Sequence, residues 1–253
     1  VMTRFFGGGQ SSLSSLSGIG AGYESLGAAV QEKRQKGFTL AEVLITLGII
    51  GIVAAMTLPS IVGNYKKKEI ITRIKKFDSM MSQAVLLSEA QNGDAKYWEK
   101  VNTIIKDDDG NDVYDNNAGP EATYNFITKY IAPYIKYYRI EKSVIQPNAP
   151  GEKMLAIYFS DGSIAYAKNG ACIDFRLDVN GLKNPNKDGS DIFVFALCPW
   201  NPSFYFGNAN RKWGTLCDKS RNDREALIRS KTCASRILEL DNWEFRDDYP
   251  WKF

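Results

Sequence analysis

Residues 38–65 read FTLAEVLITLGIIGIVAAMTLPSIVGNY, and this stretch decides the fold. From Val43 to Tyr65 it carries no charged side chain. As an α-helix this part would be about 34 Å long, which is enough to cross the hydrocarbon core of a bilayer. Its glycines and Pro59 would weaken a helix in water, but membrane helices tolerate both residue types.

The apolar stretch continues without a break signal into an amphipathic pattern. Apolar residues recur there at intervals of three and four with charges between them, at Ile70, Ile74, Phe77, Met81 and Val85. This spacing is typical of a helix with one buried face. Gly93 follows Asn92 and suits a helix C-cap. We therefore predict one helix over 38–92 that is apolar all round in its first half and on one face in its second.

The remaining residues, 93–253, have the pattern of an α+β head. Two apolar strands flank the turn signal Ser160-Asp161-Gly162, as expected for a hairpin. The predicted elements are a short helix from Pro120, strands over 154–159, 163–167, 172–179 and 191–197, and a helix over 222–239, with a linker at Pro147 and Pro150. The fold predicted from this order is a long N-terminal helix packed on a small antiparallel sheet.

Composition narrows the class of function. The 253 residues are 44% hydrophobic and 24% charged, as in a globular protein, and the net charge is +3. The chain has no histidine, the commonest general base and metal ligand, and it has no phosphate-binding loop or Gly-x-Ser-x-Gly motif. We therefore expect no enzyme, and the nearly balanced charge gives no reason to expect nucleic-acid binding.

The four cysteines, Cys172, Cys198, Cys217 and Cys233, all lie in the C-terminal half. An even number without a C-x-x-C pair indicates two disulfides and an oxidising compartment. Three pairings are open. We favour Cys172–Cys198 with Cys217–Cys233, because each bond closes a local loop.

The start of the apolar helix carries the most informative motif. A basic residue, a glycine, a phenylalanine and a carboxylate five residues after the glycine stand in register in Lys36-Gly37-Phe38-Thr39-Leu40-Ala41-Glu42. Together with the apolar run that follows, this closely resembles the class III signal of type IV pilins and type II secretion pseudopilins. The resemblance covers about 30 residues, from Lys36 to Tyr65, and Pro59 falls where the helix of this family often kinks.

The resemblance implies a processed, membrane-anchored filament subunit. A prepilin peptidase would cut between Gly37 and Phe38 at the cytoplasmic face and methylate the new amine of Phe38. The expected parts are a leader over 1–37, a transmembrane and assembly helix over 38–92, and a pilin-like head over 93–253. Before assembly the chain would cross the bacterial inner membrane once, with the head extracytoplasmic. Its partners would be an inner-membrane assembly platform and other pilin subunits.

Glu42 is the sharpest single residue of the motif. A carboxylate one helical turn inside an apolar run is costly to bury without a partner. In the resembling family that partner is thought to be the N-terminal amine of a neighbouring subunit, which here would be the amine of Phe38. The alternative is a carboxylate that reaches the headgroup region and takes no part in assembly.

Several functions remain open. Within the class, the chain is a subunit of a pilus-like or type II secretion filament, or a minor pilin for adhesion or DNA uptake. A different class is a membrane-anchored extracytoplasmic binding protein or enzyme.

The leader is long and begins with Val1, so we expect the natural leader to start nearer Glu32.

The distribution of basic residues on the two sides of the apolar run argues against an extracytoplasmic head. Three precede the run and six follow it, at Lys66, Lys67, Lys68, Arg73, Lys75 and Lys76. The positive-inside rule alone would place the C-terminal side in the cytoplasm. The cysteines and the resemblance favour the opposite, so the dense basic stretch is expected to meet anionic headgroups or acidic groups of adjacent subunits.

A second segment, residues 174–191, is dense in oxygen ligands: Asp174, Asp178, Asn180, Asp188 and Asp191. Such loops hold calcium in many proteins, although the EF-hand spacing is absent here. The alternative is a turn-rich loop capped by Asp and Asn side chains, which we favour. Otherwise the sequence indicates no cofactor.

Overall fold

A computed structural model of the chain describes residues 37–147, 149–201, 204–208 and 223–252. The chain divides into two units, residues 1–50 and 51–253. In its described part, the first unit consists of residues 37–39 and the beginning of helix α1. The second unit holds the rest of α1 and the α+β head.

Helix α1, Leu40–Asn92, is continuous over 53 residues. It begins two residues later than predicted, because Phe38 and Thr39 are not helical. Its buried side chains follow the predicted stripe and are Ile74, Phe77, Met81, Ala84, Val85 and Ser88, while Ile70 is partly buried. The helix ends at Gly93, which adopts φ +77° and donates its N–H to Glu89 O, as a C-cap glycine does.

Between α1 and the main sheet lie a small hairpin and a second helix. Strands β1 (Ile104–Lys106) and β2 (Asp112–Tyr114) pair around an acidic turn at residues 107–111. Helix α2, Gly119–Tyr130, starts with a proline in its first turn, as predicted from Pro120. Its apolar face joins the core through Phe126 and Ile127.

Within the described residues, the main sheet has six antiparallel strands in sequential order. They are β3 (Arg139–Ile145), β4 (Lys153–Tyr158), β5 (Ile164–Asn169), β6 (Ile173–Asp178), β7 (Ile192–Asn201) and β8 (Phe204–Asn208). The hairpin predicted around residues 160–162 joins β4 and β5, and the two further predicted strands are β6 and β7. The predicted α+β class, with a long helix on an antiparallel sheet, is confirmed.

Alternation along β6 fixes which face of the sheet is covered. Ile173, Phe175 and Leu177 belong to the same core cluster as the buried stripe of α1. Asp174 and Arg176 alternate with them, so they point to the opposite face. The core therefore lies between one face of the sheet and the second half of α1, with α2 in the same cluster.

The predicted helix over 222–239 is two helices within the described residues. Helix α3, Arg224–Ser230, and helix α4, Ala234–Leu240, are separated by Lys231 and Cys233, both in the left-handed region. A left-handed residue ends a helix because it turns the chain away from its axis. Neither glycine nor proline marks this break in the sequence.

Candidate functional site

The residues before α1 form an open, non-helical segment. Gly37, Phe38 and Thr39 are exposed, and the Phe38 side chain is 88% exposed. Among the described residues, none other than its chain neighbour lies within 4 Å of the position that a Cβ on Gly37 would occupy. The peptide bond between Gly37 and Phe38 therefore lies in an exposed, non-helical segment, which suits cleavage by a protease.

Thr39 and Glu42 cap the first turn of α1 reciprocally. Glu42 Oε2 accepts hydrogen bonds from Thr39 N and Thr39 Oγ1, both at 2.8 Å, and Glu42 N donates to Thr39 Oγ1 at 3.2 Å. This arrangement is a capping box, which satisfies backbone donors at a helix start. Its signature, Thr-x-x-Glu, is readable at positions 39–42, although the capping box was not among the predicted features.

The capping box changes how Glu42 is partnered. Its carboxylate already has polar partners inside its own chain, so it is not an isolated charge in an apolar run. Among the described residues only Oε2 takes part in these hydrogen bonds, which leaves Oε1 for a further donor. The pairing of Glu42 with the amine of Phe38 in a neighbouring subunit stays a prediction.

The apolar part of α1 is long enough to cross a membrane. An 18-residue window of the helix is strongly apolar, and no residue of it is buried within the molecule. Its polar side chains are satisfied locally, since Thr46 Oγ1 donates to Val43 O and Thr57 Oγ1 donates to Val53 O, each at 2.9 Å. Such bonds suit an apolar solvent. Pro59 lies inside this helix, and the predicted kink there stays a prediction.

Three of the six basic residues after the apolar run contact the head. Arg73 pairs with Glu69 at 2.6 Å and donates to Val179 O. Lys76 Nζ lies 2.6 Å from Asp161 Oδ2, and Lys75 Nζ lies 5.9 Å from the centre of the Trp243 ring. These cations join α1 to turns and loops of the head, so they are not free charges beside a membrane.

Asp191 closes the oxygen-rich loop between β6 and β7. Its carboxylate accepts hydrogen bonds from Asn186 N at 2.9 Å, Lys187 N at 2.7 Å and Asn180 Nδ2 at 3.1 Å. Asp178 Oδ1 accepts from Asn180 N at 3.2 Å. These contacts are those of a loop capped by Asp and Asn side chains.

The five residues named for calcium do not form one cluster. Asp174 lies on the strand, beside Lys168 and Arg176, and burial raises its pKa to about 6 although these cations lower it. No group of three or more acidic, Cys or His side chains in the described ranges could hold a metal ion. Three buried oxygens in and beside the loop accept no hydrogen bond from any residue that the structure describes, namely Asp178 Oδ2, Asn180 Oδ1 and Asn186 Oδ1. Calcium binding here stays a prediction.

A disulfide joins Cys172, which directly precedes β6, to Cys198 on β7. The Cα atoms of the two residues are 4.9 Å apart. Cys233 is also disulfide-bonded. Cys217 lies outside the described residues, so its predicted bond to Cys233 stays a prediction. One disulfide across neighbouring strands already supports folding in an oxidising compartment.

Family comparisons divide the chain close to Pro59. A family described as a "Family of unknown function (DUF6613)" matches residues 60–253, which include the end of the apolar run and the whole head. The chain belongs to this DUF6613 family. A second model, the prokaryotic N-terminal methylation motif, matches residues 33–58. The DUF6613 head is thus joined to a start that matches a separate, prokaryote-wide motif.

One characterised relative matches a short part of the chain. Over 40 residues the chain is 42% identical to the type II secretion system core protein G of Aeromonas hydrophila. The match covers 16% of this chain and 28% of that protein. No solved structure matches the chain. The prepilin-type motif and this match confirm the resemblance to pilins and pseudopilins, and they indicate a structural subunit rather than an enzyme.

Proposed function

We propose that the chain is a prepilin that is cut between Gly37 and Phe38, methylated on the amine of Phe38, and assembled into a pilus-like or type II secretion filament through α1. The observation that carries this proposal is the methylation motif at residues 33–58. Gly37 and Phe38 fall within this range, in the non-helical segment that precedes the membrane-length helix.

The position of the cut fits the physics of the segment. The polar, basic leader prevents the helix from entering an apolar filament core, and removal of residues 1–37 takes those charges away. The new amine of Phe38 would lie one helical turn from a carboxylate. Glu42 Oε1 of a neighbouring subunit would accept from it, while Oε2 keeps its bonds to Thr39. Such a charged pair is strongest where water is excluded.

The exposed apolar side chains of α1 supply the assembly surface. From Leu40 to Val62 the large apolar residues are between 41% and 79% exposed, so the molecule alone does not cover them. Lipid would cover them before assembly, and helices of other subunits would cover them afterwards. Helices in lipid associate through close packing rather than through a hydrophobic driving force, and the glycines of this segment would allow close approach.

The orientation proposed for the chain places the head outside the cytoplasm. The Cys172–Cys198 disulfide supports this side, because cytosolic thiols are kept reduced. The contacts of Arg73 and Lys76 with the head weaken the opposing argument from the positive-inside rule. Processing would require a prepilin peptidase, and assembly would require an inner-membrane platform. A minor pilin for adhesion or DNA uptake would use the same start, and a binding protein anchored by α1 is the alternative of a different class.

Mass spectrometry of the mature N-terminus tests the proposal. The chain would be produced in cells with an active prepilin peptidase and in cells with an inactive one. We expect a first residue of N-methylated Phe38 in the former and an intact leader in the latter. G37R should block the cut, whereas G63R, in α1 and outside the motif, should not. Any other first residue, or an uncut chain beside an active peptidase, would refute the proposal.

Assembly is tested separately with Glu42. E42Q should be cut as the wild type is, but its incorporation into filaments should fall at least tenfold, since a neutral amide cannot form an ion pair with the amine. E69Q is the matched control on the same helix. Normal filaments from E42Q would show that the carboxylate has no role in assembly.

A further inference from the structure

Three consecutive lysines, Lys66–Lys68, follow the apolar run directly. Lys66 and Lys68 are exposed and Lys67 is half-buried. Throughout the part of the chain that the structure describes, their ammonium groups make no hydrogen bond or ion pair. The next three cations differ, because Arg73, Lys75 and Lys76 contact Val179, Trp243 and Asp161. The head therefore provides partners for Arg73, Lys75 and Lys76, but none among the described residues for Lys66–Lys68.

The position of the three lysines matches the edge of a bilayer. The uncharged segment from Val43 to Tyr65 has a helical length of about 34 Å, against about 30 Å for a hydrocarbon core. Tyr65 is 70% exposed and ends the segment, where aromatic residues are commonly found at the membrane surface. Lys66–Lys68 would therefore lie at the level of the phosphate groups.

The angular spread of the lysines favours lipid over a protein partner. Consecutive helical residues are rotated by about 100°, so the three side chains cover an arc of about 200°. Lys67 shares the side of Ile70, Ile71 and Ile74, which pack towards the head, and its two neighbours point elsewhere. One acidic patch on an adjacent subunit could not reach all three. A layer of headgroups surrounds the helix and could.

We propose that Lys66–Lys68 form a basic collar that binds the phosphates of anionic phospholipids in the leaflet on the head's side. The inference rests on the proposed membrane insertion of α1. The collar holds the helix at a fixed depth until a subunit leaves the membrane for a filament. Each lysine near an anionic surface strengthens binding about fivefold, and salt weakens the effect.

Native mass spectrometry of the full chain, released from mixed phosphatidylglycerol and phosphatidylcholine micelles, tests the collar. We expect the wild type to retain phosphatidylglycerol in preference. The K66Q/K67Q/K68Q variant should lose this preference by at least tenfold. The matched control, K136Q/K153Q/K183Q, removes the same charge from exposed head positions and should keep it.

Equal lipid retention by the two triple variants would overturn the inference. A second result would also overturn the inference: the collar variant keeps its lipid preference but no longer cross-links to neighbouring subunits. The lysines would then bind acidic protein groups. Carbonate extraction of membranes is measured in parallel. A chain released by carbonate contradicts the proposed membrane anchor, whereas an inserted chain without lipid preference contradicts the collar alone.

Discussion

Lys76 Nζ lies 2.6 Å from Asp161 Oδ2, and this ion pair fastens the β4–β5 turn to helix α1. Asp161 also accepts hydrogen bonds from the backbone N–H and the hydroxyl of Ser163. Burial raises the pKa of Asp161, but the hydrogen bonds from Lys76 and Ser163 outweigh it and hold the pKa at about 2. A basic residue whose place in the sequence argues against the expected orientation thus has a structural role in the head.

K76Q should destabilise the head by about 1 kcal/mol at pH 7, since the pair is partly exposed. The pKa of Asp161 is depressed, so its contribution is present above pH ~4 and is lost as the pH falls through about 2. The difference between wild type and K76Q should therefore shrink below pH 4. Urea unfolding of the full chain in detergent measures it, with K66Q as control. Equal stability at pH 7 would contradict the docking role.

Phe77 is the centre of the contact between α1 and the sheet. Its ring lies 6.1 Å from Phe159, 6.2 Å from Phe175 and 5.1 Å from Phe195, measured between centroids. F77A should cost about 4 kcal/mol, because it removes buried area and leaves a cavity. L86A, on the exposed side of the same helix, should change the free energy of unfolding by less than about 0.5 kcal/mol. Similar losses in both variants would mean that α1 is not docked as described.

The parts of the fold that were predictable have strong local patterns. The stripe from Ile74 to Val85 has helical spacing, and the hairpin around residues 160–162 has a turn signal between two apolar runs. Strand β3 lacks such a pattern, because its residues are mostly exposed on both faces and it contains a bulge with Ser143 at φ +61°. Its place is set by pairing with β4, which no local signal encodes.

The candidate site also has a part that can be predicted from the sequence and a part that only the structure shows. Gly37, Phe38 and Glu42 were identifiable from spacing along the chain. The contacts of Arg73 with Val179 and of Lys76 with Asp161 join residues about a hundred positions apart, so only the folded chain reveals them. For the same reason, the separation of Asp174 from the β6–β7 loop was not visible in a list of oxygen ligands.

The Cys172–Cys198 disulfide closes a loop with a sequence separation of 26 residues. By the loop-entropy relation, its removal should cost about 3.5 kcal/mol. The C172S/C198S variant, unfolded by denaturant in the absence of reductant, should show this loss, while A171S should not. A variant as stable as the wild type would mean that this bond does not constrain the unfolded chain.

The stability contribution of Asp178 should depend on pH with a sign opposite to that of Asp161. Burial, with the nearby charge of Asp191, raises its pKa to about 7. A raised pKa means that the stabilising contribution is complete below pH ~4 and is lost as the pH rises through 7. From pH 4 to pH 8 the wild type should therefore lose on the order of 3 kcal/mol relative to D178N. Denaturant unfolding at both pH values measures this, with D108N as an exposed control; parallel behaviour of wild type and D178N would refute it.

The hydrogen bonds of Asp191 predict that the β6–β7 loop folds without a metal. Three donors already satisfy its carboxylate. The melting temperature should therefore be the same in chelator and in about 2 mM calcium, a concentration that fills typical extracytoplasmic sites. D191N should lower it, because charged acceptors bind more strongly than an amide. Calcium at a hundred times its dissociation constant would add about 2.7 kcal/mol, a shift of several degrees. Such a rise, absent in D178N, would contradict the prediction and would favour Asp178 Oδ2, Asn180 Oδ1 and Asn186 Oδ1 as ligands, since these buried oxygens in and beside the loop have no donor among the described residues.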